Sequence, residues 1–324
     1  MIGRFTGFVL LLLMACQEEP APLITNFYHW ETRLELDATE RQLLDSFASQ
    51  RLYVKAFDVI WEGGAVPAAP VDLATAGGLP QLVPVVFITN EVMANLGPAG
   101  VDRLAEDVLR YTDELLPMGY ASLQFDCDWT ARTQVPYFRF LSRAHELRPS
   151  LSLSCTLRLH QYRDRNAQGI PPVGRATLMA YNTGNLGEWE TENSIVDTAA
   201  LAYYLEGQPA YPVPLDIALA VYDWAAVYRH GDLARLINEP DCERLRDTSY
   251  FERLAENRYR ATMGTYLNGG YLYEGDLIRL EGMGPEQVSR YAEEVRAAVG
   301  SFPGQELLLY RLGSRQWRAG ACGR

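Results

Sequence analysis

Two aspartates lie close together in an apolar segment of the sequence, Leu-Gln-Phe-Asp-Cys-Asp-Trp-Thr at residues 123–130. In a β-strand alternate side chains point to opposite faces, so Asp126 and Asp128 share one face while Phe125 and Trp129 share the other. A carboxylate that leaves water without a polar partner is costly. The pattern therefore predicts a strand that ends at a polar site, where two carboxylates in different surroundings can serve as acid and base.

This segment is one of eight apolar runs that alternate with amphipathic, helix-like stretches along the 324-residue chain. The runs cover residues 23–30, 51–61, 82–90, 120–129, 150–161, 176–184, 214–224 and 305–312. Such alternation is typical of a parallel sheet covered by helices. Eight units in this length favour a closed α/β barrel, (β/α)₈, over an open doubly wound sheet, and predict one barrel domain over residues 23–324.

Residues 225–284 are too many for a single connection between two barrel strands. We therefore predict an insertion between strands seven and eight. Helices are expected around residues 231–265, and Asn268-Gly269-Gly270 predicts a small hairpin turn.

Polar and aromatic residues gather at the carboxyl ends of the runs, which form the working face of such a barrel. The candidate catalytic residues are Asp128, Asp126 and Glu91, with Asp128 as general acid and Glu91, Asp58 or Glu31 as its partner. We expect Arg158 to pair with Asp126, either as part of the chemistry or as a structural ion pair. The candidate substrate-binding residues are Tyr28, Trp30, Glu31, Asp58, Trp61, Arg158, His160, Gln161, Tyr181, Asn182, Asp223 and Trp224.

The aromatic members of this set, together with Trp129, suggest platforms for sugar rings. Apolar ring faces stack on aromatic side chains, while carboxylates and amides take the hydroxyl groups. A glycosidase needs two carboxyl groups roughly 5–9.5 Å apart, a distance that sequence alone does not supply.

Two of the runs resemble motifs of the chitinase-like glycoside hydrolases of family 18. That family carries D-x-x-D-x-D-x-E at the end of strand four and Met-x-Tyr-Asp at the end of strand six. Here Asp126 and Asp128 match two of the three aspartates, and residues 179–182 read Met-Ala-Tyr-Asn. Leu123 replaces the first aspartate, and Thr130 replaces the glutamate that protonates the leaving oxygen. The resemblance implies a barrel that handles carbohydrate but lacks the family's usual acid.

The residues leave three functions open. The first is a glycosidase acting on a polysaccharide or glycan, and the second is a catalytically inactive barrel that binds a glycan. The third is a metal-dependent hydrolase using Asp126, Asp128, Asp58 and His160, although such sites usually draw on more than the four histidines present. We expect no metal and no cofactor.

The N-terminal residues predict export and membrane attachment. Residues 1–15 have the pattern of a signal peptide, with an apolar run too short to span a bilayer. Leu-Met-Ala-Cys at residues 13–16 resembles a bacterial lipobox, which implies lipidation of Cys16, a tether over residues 16–22 and attachment to the outer membrane. Residues 17–19, Gln-Glu-Glu, resemble an acidic tag for the cell surface. The chain is also similar to bacterial lipoproteins that share its DCDWT, TLRLHQ and MAYN blocks.

Charge and cysteine content narrow the remaining possibilities. The net charge is −12 and the sequence has no basic stripe, which argues against nucleic acid as a partner. Cys127 and Cys155 are expected to be buried free thiols. Cys242 and Cys322 lie in polar segments and can pair, but their spacing does not establish it.

Overall fold

The computed structural model of the chain describes residues 21–73 and 78–318. The predicted signal peptide (residues 1–15), the lipidation site Cys16 and tether residues 16–20 lie outside the described residues. Within the described ranges, no helix is both long and apolar enough to cross a membrane.

Sixteen strands are present in the described part of the chain. They are β1 (Ile24–His29), β2 (Arg51–Trp61), β3 (Ala65–Ala68), β4 (Gln81–Ile88), β5 (Ser122–Asp126), β6 (Ser152–Arg158), β7 (Arg175–Met179), β8 (Leu215–Ala220), β9 (Asp223–Arg229), β10 (Asp232–Asn238), β11 (Phe251–Ala255), β12 (Arg258–Ala261), β13 (Thr265–Leu267), β14 (Gly270–Leu272), β15 (Leu277–Gly282) and β16 (Glu306–Tyr310).

Eight of these strands form a closed parallel barrel, which confirms the predicted (β/α)₈ fold. The order around the ring is β1, β16, β8, β7, β6, β5, β4 and β2, and pairing of β2 with β1 closes it. Each predicted run contributes one barrel strand. The short strand β3 folds back antiparallel on β2 and extends that edge.

Helices cover the outside of the barrel. They are α1 (Ala38–Ser46), α2 (Asn90–Asn95), α3 (Pro98–Leu115), α4 (Gln134–Leu147), α5 (Leu159–Arg163), α6 (Arg165–Gln168), α7 (Thr198–Leu205) and α9 (Pro285–Val299). A further short helix, α8 (Cys242–Leu245), packs through Leu245 into a separate small core with strands that follow β8. Helices α3 and α9 begin with a proline, whose fixed φ and missing N–H suit the first turn of a helix. Their apolar residues at helical spacing face the barrel, as the sequence pattern predicts.

The end of the barrel opposite the strand carboxyl ends is closed by a buried polar cluster around Glu306. Its carboxylate accepts hydrogen bonds from Asn26 (2.7 Å), Tyr53 (2.9 Å) and the Arg51 guanidinium (2.7 Å). These residues come from β1, β2 and β16, the strands at which the ring closes. The buried carboxylate is thereby fully engaged and joins both sides of the closure.

Residues between β8 and α9 form a second, five-stranded antiparallel sheet in the order β10, β9, β15, β12 and β11. The expectation of helices around 231–265 is wrong, because that stretch contains β10, β11, β12 and only the short helix α8. Its apolar residues, including Ile237, Phe251 and Tyr259, fill a small core of their own. The predicted hairpin is present as β13 and β14, joined through residues 268–269 with positive φ angles of 45° and 75°.

Candidate functional site

A cavity of about 470 Å³ opens at the carboxyl ends of the barrel strands. Among the predicted site residues it is lined by Tyr28, Trp30, Asp58, Asp126, Asp128, Arg158, Tyr181, Asn182, Asp223 and Trp224. Its other lining residues are Lys55, Phe87, Thr156, Met179, Tyr222, Asn238, Glu239, Tyr310 and Arg311. The strand ends therefore meet as the barrel prediction requires, and carboxylates face aromatic side chains across one space.

Several predicted residues lie elsewhere. Glu91 is exposed at the start of α2 and does not line the cavity, because the chain enters that helix at Asn90 rather than continuing as a strand. Glu31 is also exposed and forms an ion pair with Arg311 at the rim. Trp61 ends the extension of β2 beside β3 and packs against the core there.

The segment after β6 departs from the expected strand. Because β6 ends at Arg158, His160 and Gln161 lie on α5 and do not line the cavity. The Gln161 amide instead donates to the Trp129 carbonyl at 2.8 Å. Trp129 is fully buried and stacks on Tyr137 with ring centroids 5.2 Å apart, so its predicted role as a sugar platform is wrong.

Asp126 and Asp128 have different hydrogen-bond partners. Asp128 accepts two hydrogen bonds from Arg158, at 2.6 and 2.9 Å, whereas Asp126 accepts one from the Thr156 hydroxyl at 2.7 Å. The expected pairing of Arg158 with Asp126 is therefore wrong. Phe125 of β5 lies opposite Cys155 of β6. This register places Asp126 beside Thr156 and Asp128 beside Arg158.

Asp126 is the most perturbed carboxyl group of the cavity. Burial raises its pKa to about 6, against the lowering effect of the hydrogen bond from Thr156, and the charges of Asp128 and Asp58 add to the rise. Only 9% of the residue is exposed. Asp126 therefore exchanges its proton close to neutral pH, as a general acid requires.

Asp58 is a second carboxylate at the same level of the barrel. In the strand register, Asp58 lies opposite Phe87, and Phe87 lies opposite Asp126. Two strand spacings place the Cα atoms of the two aspartates at most roughly 10 Å apart. Asp58 accepts a hydrogen bond from the Lys55 ammonium at 2.8 Å, while its Oδ1 atom is buried without a hydrogen-bond partner.

Aromatic side chains form much of the remaining wall. Tyr181 and Tyr310 stack with ring centroids 5.9 Å apart, and Trp30 meets Tyr310 edge to face at 5.8 Å. The ring centroids of Tyr222 and Trp224 are 5.2 Å apart. The Tyr222 hydroxyl donates a hydrogen bond to the Asn182 side-chain oxygen at 2.5 Å. These contacts hold the rings in fixed orientations around the cavity.

The second sheet supports this wall through a buried ion pair between Arg279 and Glu281. Glu281 also accepts hydrogen bonds from the Trp224 indole N–H at 2.7 Å and from the Ser194 backbone N–H at 3.0 Å. One carboxylate thereby links the cavity, the segment after β7 and the second sheet. Glu281 carried no signal in the sequence, because it lies inside a strand that was predicted only as part of an insertion.

Nine lining residues were not among the predicted site residues, and four of these do not lie at the carboxyl end of a predicted run, namely Lys55, Phe87, Asn238 and Glu239. Lys55 and Phe87 lie within β2 and β4 rather than after them, so a prediction based on strand ends alone does not include them. Asn238 and Glu239 follow β10, which was expected to be helical. Glu239 accepts a hydrogen bond from Arg311 at 3.1 Å, and Asp223 forms an ion pair with Arg315.

The described residues contain no group of three His, Cys, Asp or Glu side chains placed to hold a metal ion. His160, which the metal-hydrolase hypothesis requires, is exposed on α5 and does not line the cavity. The structure thus does not assemble the ligand set that this hypothesis proposed.

The cysteines behave largely as expected. Cys127 and Cys155 are buried and free. Cys242 is disulfide-bonded. Its predicted partner, Cys322, lies outside the described residues, so that pairing stays a prediction.

No family model and no curated protein sequence matches the chain, whereas solved structures do. The spore cortex-lytic enzyme SleL of Bacillus cereus superposes with a TM-score of 0.55 at 13% identity, over 93% of this chain and 74% of the enzyme. SleL of Bacillus megaterium superposes with a TM-score of 0.56 at 14% identity, over 92% of this chain and 74% of the enzyme. A chitinase from Chromobacterium violaceum superposes with a TM-score of 0.54 at 12% identity, over 91% of this chain and 97% of the chitinase. The fold is that of a chitinase-like barrel. The resemblance predicted from two short motifs is confirmed at the level of the fold.

Thr130, which occupies the position of the glutamate in the family 18 motif, lies away from the cavity. Thr130 is exposed and does not line it. Its backbone N–H donates to the Thr133 hydroxyl at 2.9 Å, and its carbonyl accepts from the Thr133 N–H at 2.9 Å. The chain therefore turns toward α4 directly after Trp129.

Proposed function

We propose that the chain is a glycoside hydrolase-like protein that binds a carbohydrate in the cavity and cleaves it by carboxylate acid/base chemistry. The observation that carries this proposal is the contrast among the cavity carboxylates. Asp128 and Asp58 are paired with cations, whereas Asp126 is buried with a pKa of about 6. Carboxyl groups held in different surroundings at one site are the usual basis of acid/base catalysis.

In this mechanism Asp126 is the acid and donates its proton to the glycosidic oxygen. The Asp58 carboxylate, held by Lys55, accepts a proton from the attacking water on the other side of the sugar. Two strand spacings between these residues fit the wider separation of carboxyl groups, roughly 6.5–9.5 Å, that leaves room for water in an inverting enzyme.

This assignment replaces Asp128 and Glu91 with Asp126 and Asp58. The two-point contact with Arg158 engages both oxygens of Asp128 in charge-assisted hydrogen bonds, so we assign it no proton transfer. Asp128 and Arg158 remain placed to bind sugar hydroxyl groups. The rings of Trp30, Tyr181 and Trp224 supply apolar faces for the sugar.

The direct test is hydrolysis of a panel of polysaccharides and chromogenic glycosides by the chain from Gln17 onward. We expect turnover in the wild type and a loss of roughly 100-fold or more in Asp126→Asn and in Asp58→Asn. Asp128→Asn should mainly weaken substrate binding and raise KM. Turnover that survives in Asp126→Asn would exclude Asp126 as the acid.

A second function, glycan binding without cleavage, is favoured by the position of Thr130. No carboxylate stands where chitinase-like enzymes carry their acid, and the chain there leads away from the cavity. In that case the wild type is retained on a polysaccharide affinity gel but shows no turnover. Retention should then depend on Trp224, while Asp126→Asn should have little effect on a neutral glycan.

For the cellular location, we propose that the protein is a lipoprotein anchored through Cys16 to the bacterial outer membrane. The support is the lipobox-like sequence at residues 13–16 and the acidic residues that follow it. Replacement Cys16→Ser should abolish incorporation of labelled palmitate and reduce recovery of the protein in the outer-membrane fraction. Unchanged labelling would refute lipidation at this residue.

A further inference from the structure

We propose that the glycan bound in the cavity carries free amino groups, and that a sugar ammonium binds between Asp126 and Asp58. The ligand class is a cationic amino-sugar polymer, as opposed to a neutral N-acetylated polymer or an anionic uronic acid polymer. The inference rests on the proposed function only for carbohydrate binding in the cavity, and it specifies the chemistry of the sugar. It describes glycan binding without cleavage, because an ammonium held by Asp126 and Asp58 occupies the two groups that the cleavage mechanism uses.

The first observation is a pair of carboxylates with unused acceptor atoms. Asp126 accepts one hydrogen bond, at Oδ1 from Thr156, and forms no ion pair within the described residues although it is nine-tenths buried. Oδ1 of Asp58 is buried with no donor in reach. A buried acceptor is costly when unpaired, so Oδ1 of Asp58 favours a ligand that brings a hydrogen-bond donor. Asp126 offers a second carboxylate that no cation pairs with among the described residues.

The second observation is the charge balance of the cavity. Its lining holds five carboxylates, Asp58, Asp126, Asp128, Asp223 and Glu239, against three cations, Lys55, Arg158 and Arg311. Each of these cations already contacts a carboxylate, and Arg315, which is not part of the lining, pairs with Asp223. Among the described residues, Asp126 is therefore the one carboxylate of the lining without an ion pair. An anionic sugar would therefore meet a surplus of negative charge and would have to displace an existing ion pair. A cationic sugar would reduce that surplus.

The third observation is the placement of the two acceptors. Asp58 and Asp126 stand at the same level of the barrel with Phe87 between them, all three on the cavity wall. A protonated amine has three N–H donors and one positive charge, enough to bond both carboxylates at once. Aromatic faces at Phe87, Tyr28 and Tyr181 suit the same cation.

The test compares three oligosaccharide probes of matched length, namely oligomers of glucosamine, of N-acetylglucosamine and of a uronic acid. Binding is measured by titration calorimetry at about pH 6.5, in low and in high salt. We expect the glucosamine oligomer to bind at least 10-fold more tightly than the N-acetylated one, and this preference to shrink in high salt. The uronic acid oligomer should bind most weakly.

The variants locate the effect. Asp126→Asn should reduce the preference for glucosamine at least 5-fold while retaining affinity for the N-acetylated oligomer, which shows that the variant is folded. Asp102→Asn is the matched control, because Asp102 pairs with Arg139 on the outer helices α3 and α4, away from the cavity. It should leave the preference unchanged.

Other outcomes separate the two proposals. Equal binding of the glucosamine and N-acetylated oligomers, or a preference that persists in Asp126→Asn, overturns the ammonium site but leaves the carbohydrate-binding cavity intact. Tightest binding of the uronic acid oligomer overturns it as well. Binding of none of the three, together with no turnover on the polysaccharide panel, overturns the proposed function itself.

Discussion

At the scale of single residues, the behaviour of the two aspartates follows from strand register. The sequence alone predicts that Asp126 and Asp128 share a face and end at a polar site, since alternation along a strand requires it. Which of them pairs with Arg158 depends on the register between β5 and β6. The alternation of side chains within a single strand does not determine how that strand is aligned with its neighbour. The register leaves Asp126 with a hydroxyl partner and without a cation. That difference moves the predicted acid from one residue to the other.

The raised pKa of Asp126 predicts an unusual effect of pH on stability. In the unfolded chain an aspartate titrates near pH 3.9, whereas Asp126 in the fold titrates at about 6. The folded protein then binds more protons than the unfolded chain between these values, so this residue lowers stability as pH rises through that window. Asp126→Asn should therefore be more stable than wild type at pH 7, by about 3 kcal/mol.

Urea unfolding of both proteins at several pH values measures this difference. The advantage of Asp126→Asn should fade below about pH 4, where the wild-type carboxyl group is protonated in both states. Asp107→Asn, at an exposed position on α3, serves as the control and should change stability little at either pH. A difference for Asp126→Asn that is the same at every pH would contradict the raised pKa.

The position of Thr130 predicts the result of an attempted repair. Restoration of the family motif by Thr130→Glu places a carboxylate on an exposed turn outside the cavity. We therefore expect the variant to hydrolyse glycosides at the same rate as wild type, within about 2-fold. A gain of 10-fold or more in the same chromogenic assay would show that residue 130 reaches the substrate and would contradict this placement of the turn.

At the scale of elements, helices with strong signals could be predicted and the second sheet could not. Prolines at Pro98 and Pro285 and the regular apolar spacing behind them define α3 and α9. By contrast, residues 231–265 form short strands with few buried positions each, as in β10 and β11. Such strands are stabilised by pairing with strands outside the segment, for example β12 with β15, so local periodicity carries little information about them.

The buried ion pair of the second sheet predicts a large effect from a small change. Glu281→Gln removes the charge that balances Arg279, and both side chains are fully buried. Loss of one member of a buried pair typically costs about 3–5 kcal/mol, because the other charge remains unpaired. We expect a loss of this size in urea unfolding, together with a shifted fluorescence maximum from Trp224, whose indole N–H donates to Glu281.

Glu252→Gln is the matched control in the same sheet. Glu252 pairs with Arg260, and both side chains are about half exposed, so the pair should contribute almost nothing to stability. Equal effects of the two substitutions would contradict the role assigned to the buried pair.

At the scale of the whole molecule, the two ends of the barrel have different tasks. Glu306 and its partners close one end and satisfy one another completely. The other end keeps Oδ1 of Asp58 without a donor and exposes aromatic faces to a cavity. Barrel proteins separate stability and activity in this way. Eight alternating units were enough to predict the barrel and its working end, because that polarity follows from topology.

What topology does not supply is the exact set of residues that meet in the cavity. Lys55 joins the site through strand register, and Glu239 joins it through the second sheet, whose fold is set by pairing between strands far apart in sequence. Topology also does not show which predicted site residues lie outside the cavity. Glu91 and His160 follow their strands closely in sequence, but the chain has already entered a helix at both positions.

The central claim is that the cavity cleaves a glycan with Asp126 as the acid. The most direct test is the pH dependence of kcat/KM for a glycoside that the protein hydrolyses, in the wild type and in Asp126→Asn. Since the acid must be protonated, we predict that kcat/KM falls as pH rises through about 6, and that Asp126→Asn loses nearly all activity at every pH. A profile without a transition near pH 6, or activity retained in Asp126→Asn, would contradict the account.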